Sequence, residues 1–192
     1  MSETFAFNDV FEARAQTIIA RYPEGRQQSA VIPLLDLAQR QAGGWLPTEV
    51  IEYVGGYLGM PKIRVLEVAS FYSMFNLEPV GENFVQLCRT TPCWLRGSDD
   101  LRAAAKEATG CSLGETSEDG KFTVVEVECL GACCNAPMVQ INDNYYEDLT
   151  PESFKAVLES LKRGEKPDTG SSTGRSGSEP VGGLTTLTTV GA

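Results

Sequence analysis

The sequence predicts an α+β chain in two parts, an N-terminal helical bundle over residues 1–78 and an α/β sandwich over residues 79–165. Apolar residues recur at helical spacing along residues 8–75, which predicts helices that each bury one face. After Pro79 the pattern changes, and β-branched stretches alternate with amphipathic ones. The 192 residues suit one or two domains, at about 150 residues per domain.

Four helix patterns occupy the first part, and prolines and glycines separate them. The first ends at Pro23, the second ends at Gly43-Gly44, the third follows Pro47, and the fourth begins near Pro61. In the third helix, Gly55-Gly56 costs about 1 kcal/mol per glycine relative to alanine. The apolar stripes are, in chain order, Phe11, Ala15, Ile18, Ile19 and Tyr22; Leu34, Leu35, Leu37 and Ala38; Val50, Ile51, Val54, Tyr57 and Leu58; and Val65, Val68, Phe71, Tyr72 and Phe75. Together they predict a small bundle without evident chemistry.

The second part contains a strand-helix-strand pattern followed by a hairpin and a closing helix. Its predicted elements are a strand over 83–87, a helix over 98–109, a strand over 122–127, hairpin strands over 138–141 and 145–147, and a helix over 151–162. The triplet Asn142-Asp143-Asn144 is typical of the hairpin turn. This order predicts the α/β sandwich.

Residues 166–192 differ in composition from the rest of the chain. Glycine, serine, threonine and proline fill 18 of these 27 positions, too little apolar surface to offset the entropy lost on ordering. We therefore predict a flexible tail. Leu184, Leu187 and Val190 are spaced three apart and offer an alternative, in which the tail docks on a partner.

Charge and composition exclude several classes of function. The chain has no histidine, so no Ser-His or Cys-His pair and no histidine-ligated metal is possible. A net charge of −10 disfavours binding to nucleic acid or to an anionic membrane. No apolar run reaches the ~20 residues that span a bilayer, and the acidic N-terminus fits neither a signal nor a transit peptide. We expect a cytoplasmic protein without direct membrane insertion.

Four of the six cysteines form two pairs, C-x4-C at Cys88 and Cys93 and C-x3-C at Cys129 and Cys133. Each pair follows a predicted strand, and parallel neighbouring strands would bring both pairs to one edge of the sheet. Four thiolates with loops longer than C-x-x-C favour a 2Fe-2S cluster, while a structural zinc ion is the competing interpretation. Gly131 is small enough for backbone N–H groups near it to donate to such a cluster. All-thiolate ligation predicts a low potential, on the order of −400 mV.

The sequence around these pairs resembles a known family. Cys-Arg-Thr-Thr-Pro-Cys-Trp-Leu-Arg-Gly-Ser (88–98) and Glu-Cys-Leu-Gly-Ala-Cys-Cys-Asn-Ala-Pro-Met-Val-Gln-Ile-Asn (128–142) resemble the thioredoxin-like 2Fe-2S subunit of respiratory complex I, the NADH:quinone oxidoreductase. Gly-Trp-Leu-Pro (44–47) and Val-Ala-Ser-Phe-Tyr-Ser-Met-Phe (68–75) are similar to the same family, so the resemblance covers about residues 8–163. It implies that residues 79–165 form a thioredoxin-like 2Fe-2S ferredoxin domain.

The resemblance also implies the ligands and the partner. Cys88, Cys93, Cys129 and Cys133 would hold one 2Fe-2S cluster, and Cys134 departs from the family pattern, where a glycine or aliphatic residue follows the fourth ligand. We expect Cys134 to pack beside the site, although spacing alone leaves an exchange with Cys133 open, and we expect Cys111 to be a small core or surface thiol. The partner would be the flavin-bearing NADH-oxidising subunit, which would hold FMN and NAD.

These features predict a one-electron carrier within an oxidoreductase complex at the inner membrane, with no catalytic residue for NADH on this chain. The chain has no G-x-G-x-x-G loop for a dinucleotide. Alternatives are the equivalent subunit of an NAD-linked hydrogenase or formate dehydrogenase, a zinc-binding assembly module, or a thiol-disulfide oxidoreductase, which the lack of a C-x-x-C motif disfavours. Trp94, next to Cys93, is predicted to pack as a wedge.

Overall fold

The computed structural model describes residues 5–186, and these form two compact units that divide between Val80 and Gly81. Within the described residues, no helix has both the length and the apolar character that crossing a membrane requires.

The first unit contains the four predicted helices. They are α1 (Asp9–Ile19), α2 (Val31–Gln41), α3 (Thr48–Leu58) and α4 (Lys62–Phe71), with a 3-10 turn (Gln27–Ala30) before α2. The Asn8 side chain caps α1 by accepting the backbone N–H groups of Val10 and Phe11. The core of this unit is built from the predicted stripes, with Leu34, Val54 and Val65 completely buried.

The end of the fourth stripe differs from the prediction. Phe71 is 79% exposed and Tyr72 is 41% exposed, although both were placed on the buried face. Tyr72 follows α4 and has extended backbone angles, so helical periodicity does not apply to it. Phe71, the last residue of α4, lies on a different face of the helix from the buried Val65 and Ala69. Phe75, farther along the chain, does reach the core.

The second unit is built on a six-stranded mixed sheet, in the order β2-β3-β1-β4-β5-β6. Its strands are β1 (Asn83–Cys88), β2 (Glu115–Thr116), β3 (Phe122–Val127), β4 (Val139–Ile141), β5 (Asn144–Glu147) and β6 (Gly170–Ser171). Its helices are α5 (Thr91–Leu95), α6 (Ser98–Thr109) and α7 (Pro151–Lys162). Buried residues of α6 and α7, among them Leu101 and Phe154, share one core with Val85 and Phe122 of the sheet. The predicted strands and helices are present, and β2, α5 and β6 are additional.

The register of the two central strands determines where the cysteines lie. β1 and β3 are parallel neighbours, and Cys88, the last residue of β1, stands opposite Val127, the last residue of β3. The predicted hairpin of β4 and β5 is antiparallel and joins the other side of β1. The chain after β1 and the chain after β3 therefore leave the sheet at the same edge, as the sequence predicts.

Part of the segment predicted as a flexible tail packs against this unit instead. Gly170 and Ser171 form β6, which pairs in parallel with Tyr146 and Glu147 of β5. Polar contacts, which a low apolar content does not reveal, hold this segment in place. Leu184 is 62% exposed. Leu187 and Val190 lie outside the described residues, and docking of the tail end stays a prediction.

Candidate metal centre

Four cysteines meet where β1 and β3 end. Cys88 closes β1 and Cys93 lies on α5, and both are buried. Cys129 follows β3, and Cys133 opens a 3-10 turn (Cys133–Asn135); both are exposed. The site thus has a buried half and an exposed half.

Local backbone geometry shapes both loops. Pro92 lies at the beginning of α5, where its missing N–H costs no helical hydrogen bond, so the short helix starts directly after β1. Gly131 has a φ of +88°, a left-handed conformation that glycine adopts without a Cβ clash. In this conformation the Gly131 N–H donates to Cys129 Sγ at 3.4 Å. The predicted N–H contact near Gly131 is therefore present in the structure.

Within each pair, the two sulfurs are close. Cys129 Sγ lies 3.3 Å from Cys133 Sγ. Two thiolates on one tetrahedral ion, with metal–sulfur bonds of about 2.3 Å, would be about 3.8 Å apart, so this pair has nearly the span needed. Cys88 and Cys93 also interact, since each shifts the pKa of the other.

In the buried pair, the two thiols have opposite pKa shifts. Burial raises the pKa of Cys88, but hydrogen bonds from the Thr90 hydroxyl and the Leu130 N–H outweigh burial and lower it overall. Burial and the hydrogen bond with Cys88 raise the pKa of Cys93 to about 12.

The two thiols of the exposed pair also have opposite pKa shifts. Hydrogen bonds from the Gly131 N–H, the Cys133 thiol and the Thr90 hydroxyl lower the pKa of Cys129. The hydrogen bond with Cys129 raises the pKa of Cys133. In each pair the pKa of one thiol is lowered and that of the other is raised, and metal binding favours the deprotonated form of both because thiolate is the ligating form.

Thr90 and Tyr145 are site residues that the sequence analysis missed. The Thr90 hydroxyl lies 3.5 Å from Cys88 Sγ and also lowers the pKa of Cys129, so it influences both pairs. Tyr145 on β5 donates its hydroxyl to the Leu130 carbonyl at 2.7 Å and holds the loop between the cysteines. The position of Thr90 inside the C-x4-C loop was the available signal; nothing in the sequence pointed to Tyr145.

The four sulfurs fit a group that contains two metal ions. They form two thiol pairs, each of which can chelate one ion, and backbone N–H groups donate to them, as a negatively charged cluster requires. Across residues 5–186, no three or more Cys, Asp or Glu side chains gather around a single position suitable for one metal ion.

Comparisons with known proteins give the family. The family described as thioredoxin-like 2Fe-2S ferredoxin matches residues 15–162. A subunit of the NADH-quinone oxidoreductase of Rickettsia bellii (strain RML369-C) is 56% identical over 158 residues, which cover 82% of this chain and 95% of that protein. The chain belongs to the thioredoxin-like 2Fe-2S ferredoxin family, among the subunits of NADH-quinone oxidoreductase.

A second relative of this 2Fe-2S ferredoxin is the mitochondrial NADH dehydrogenase (ubiquinone) flavoprotein 2 of Dictyostelium discoideum. It is 49% identical over 183 residues, which cover 95% of this chain and 74% of that protein. Among solved structures, an NAD+-reducing NiFe-hydrogenase in the air-oxidized state matches 70% of this chain and 23% of its own chain, with a TM-score of 0.62 and 19% identity. That likeness concerns the fold alone.

Membership of the 2Fe-2S ferredoxin family confirms the predicted fold and the predicted cofactor. The cofactor of this chain is a 2Fe-2S cluster, which decides against the alternative of a structural zinc ion. The structure brings together all four cysteines predicted as ligands.

The neighbours of the ferredoxin site differ in part from expectation. Cys111 is buried in the core of the sheet and lies 3.8 Å from the Phe122 carbonyl oxygen, in accord with a core thiol. Cys134, on the 3-10 turn, is exposed rather than packed, so the prediction that it packs beside the site is wrong. Trp94 is 58% exposed and is not a packing wedge, since α5 buries Cys93 instead. Arg89 forms an ion pair with Glu126 at 3.3 Å.

Proposed function

We propose that this chain is the electron-transfer subunit of an NADH-quinone oxidoreductase and holds its 2Fe-2S cluster on Cys88, Cys93, Cys129 and Cys133. The observation that carries the proposal is the meeting of two thiol pairs at one sheet edge, in a chain of the 2Fe-2S ferredoxin family. The assignment to this complex rests on relatives that are subunits of NADH-quinone oxidoreductase.

In this proposal each half of the site would hold one iron. Cys88 and Cys93 would hold one iron within the buried half, and Cys129 and Cys133 would hold the other in the exposed half. The Gly131 N–H donates to Cys129 Sγ and stabilises negative charge there. When bound, the cluster supplies the transfer of one electron at a time.

Exposure of Cys129 and Cys133 gives the electron a short route to another protein. Because these two residues lie at the surface, a partner can approach this half of the site without any movement of β1 or β3. The partner in this proposal is the flavin-bearing NADH-oxidising subunit, which holds FMN and NAD, and this chain contributes no catalytic residue to NADH oxidation. The chain would then lie on the cytoplasmic side, attached to the inner membrane through the complex.

Anaerobic reduction of the isolated protein tests the cofactor and its ligands. We expect about two irons and two sulfides per chain, visible absorption in the oxidised protein, and an S = 1/2 EPR signal after dithionite. A colourless protein that binds zinc and gives no EPR signal after reconstitution would overturn the proposal.

Affinity purification from cells that express tagged chain tests the complex. We expect the flavin-bearing subunit and the quinone-reducing part of the same assembly to co-purify. Co-purification of a nickel-iron or formate-oxidising subunit instead would reassign the chain to a hydrogenase or formate dehydrogenase. In that case the EPR result would stand and the choice of complex would be wrong.

A further inference from the structure

The chain after α7 returns to the cysteine site as a strap, which we define as residues 170–179. Its first two residues pair as β6 with the end of β5, and the Ser172 N–H donates to the Glu147 carbonyl at 2.9 Å. The strap then passes along the edge of the sheet that carries the 3-10 turn of Cys133. Sequence analysis gave this segment no role.

Arg175 anchors the strap. Its guanidinium Nε donates to Asp148 Oδ2 at 3.0 Å, and its Nη2 donates to Asp148 Oδ1. Each of the two side chains is only 8% exposed. Its Nη1 donates to the carbonyl of Glu179 at 2.9 Å, which closes the strap around the guanidinium. Arg175 therefore uses the planar, forked geometry that distinguishes arginine from lysine.

The same guanidinium reaches the loop of the exposed cysteine pair. Arg175 Nη2 donates to the carbonyl of Cys134 at 3.0 Å, and Cys134 is the residue after Cys133. Asp148, held by Arg175, donates its backbone N–H to the carbonyl of Asn135 at 2.8 Å. The 3-10 turn that begins at Cys133 is thus fastened at two consecutive carbonyls by one ion pair.

A third contact reinforces this connection. Asn135 is 3% exposed, and its side-chain amide donates to Glu147 on β5 and to the Gly177 carbonyl of the strap, both at 2.6 Å. The turn is held between the sheet and the strap. By contrast, Cys133 itself is exposed and has no core packing to fix it.

We propose that Arg175 is a positioning residue for the 2Fe-2S cluster, which acts through the Cys134 carbonyl and Asp148 to hold the Cys133 turn in its ligating geometry. This inference rests on the proposed ligand set. Outer partners that orient metal ligands affect metal retention strongly, because a misplaced ligand releases its ion more easily. Because Asp148 pairs with Arg175, removal of the guanidinium would leave an uncompensated carboxylate on the same segment, and this disfavours the reduced, more negative state of the cluster.

Matched arginine substitutions test the proposal in the full-length, cluster-loaded protein. R175K keeps the charge and loses the fork, and R175M loses both. R163K and R163M are the controls, because Arg163 is 56% exposed, pairs with the exposed Glu165 and makes none of the contacts to the cysteine loop. Cluster loss is followed by visible absorption in the presence of an iron chelator. EPR of the dithionite-reduced protein and a redox titration report on the cluster before it is lost.

We expect R175K to lose its cluster about tenfold faster than R163K. The EPR g values of R175K should differ from those of R163K. The midpoint potential of R175M should be lower than that of R163M. Equal cluster loss in R175K and R163K would overturn the proposal. Faster loss with an unchanged EPR spectrum in folded R175K would also overturn it, because Arg175 would then support only the fold. If R175M does not fold, the R175K comparison alone decides. Absence of a cluster in the unsubstituted protein would instead be a failure of the proposed function.

Discussion

Cys129 Sγ lies 3.3 Å from Cys133 Sγ, while Cys134, the next residue in the chain, has its carbonyl bound by Arg175. The sulfur contact pairs Cys129 with Cys133, as the C-x3-C spacing predicts. The backbone carbonyl of Cys134 helps to hold the turn in place. We therefore expect Cys133, and not Cys134, to supply the sulfur ligand beside Cys129.

Serine substitutions will separate ligands from bystanders. We expect C88S, C93S, C129S and C133S each to lower iron from about two to below one per chain, because serine replaces a thiolate ligand. C111S and C134S keep all four proposed ligands, so their iron content and EPR signal should equal those of the unsubstituted protein. Iron and sulfide analysis of freshly reconstituted protein measures this. Loss of the cluster in C134S with retention in C133S would reverse the assignment.

The adjacent glycines of α3 should respond in opposite directions to alanine. A Cβ on Gly56 would meet no atom within 4 Å, so G56A should stabilise the bundle by up to about 1 kcal/mol through helix propensity. A Cβ on Gly55 would lie 2.9 Å from the Met60 carbonyl oxygen, so G55A should destabilise it by about 1–3 kcal/mol. Urea unfolding followed by far-UV circular dichroism gives both values. A higher midpoint in both variants would contradict the close approach at Gly55.

This pair of glycines also shows where sequence reasoning stops. Both carry the same cost in helix propensity, and the stripe of α3 was predicted in spite of them. Only the fold places Met60 against Gly55 and leaves Gly56 open. Periodicity locates a helix because one face must be buried, but it does not identify which atoms lie across from a given residue.

The meeting of the two cysteine pairs could be predicted from local patterns, whereas the contacts of the strap could not. Two cysteine motifs that follow strands must meet if the strands are parallel neighbours, so local patterns and one topological rule were sufficient. Asp148 and Arg175 are 27 positions apart in segments that have no shared periodicity. Their contact depends on how β6 adds to β5, and the composition of the tail indicated the opposite.

The capping box of α7 offers a local test of the second unit. Thr150 Oγ1 accepts the Ser153 N–H at 3.2 Å, and Ser153 Oγ accepts the Thr150 N–H at 2.9 Å. T150A should lower the free energy of unfolding by about 1 kcal/mol, because an N-terminal N–H of the helix loses its acceptor. T150S retains the oxygen and should recover most of this loss. Equal midpoints of thermal unfolding for T150A and the unsubstituted protein would show that the cap does not contribute.

We expect acid to remove the stability that the ion pair between Asp148 and Arg175 contributes. A variant without this ion pair has no such contribution to lose. Burial alone would raise the pKa of Asp148, but hydrogen bonds from Arg175 and Ser171 outweigh burial and lower it below the ordinary value of 3.8. A carboxyl whose pKa is lower in the folded state stabilises the fold fully above 3.8, and this stabilisation is lost as pH falls through the folded-state pKa.

D148N is the matched variant, because asparagine keeps the shape of the side chain and, like aspartate, tolerates the left-handed backbone at this position, where φ is +52°. It leaves the 8%-exposed Arg175 without its counter-charge, so near pH 7 the variant should be less stable by about 3 kcal/mol. The difference in unfolding free energy should hold down to about pH 4 and shrink toward pH 2, because protonation then removes the same charge from the unsubstituted protein. Urea unfolding of both proteins across this range measures the difference. A difference that does not change with pH would show that the charge of Asp148 is not what holds the strap.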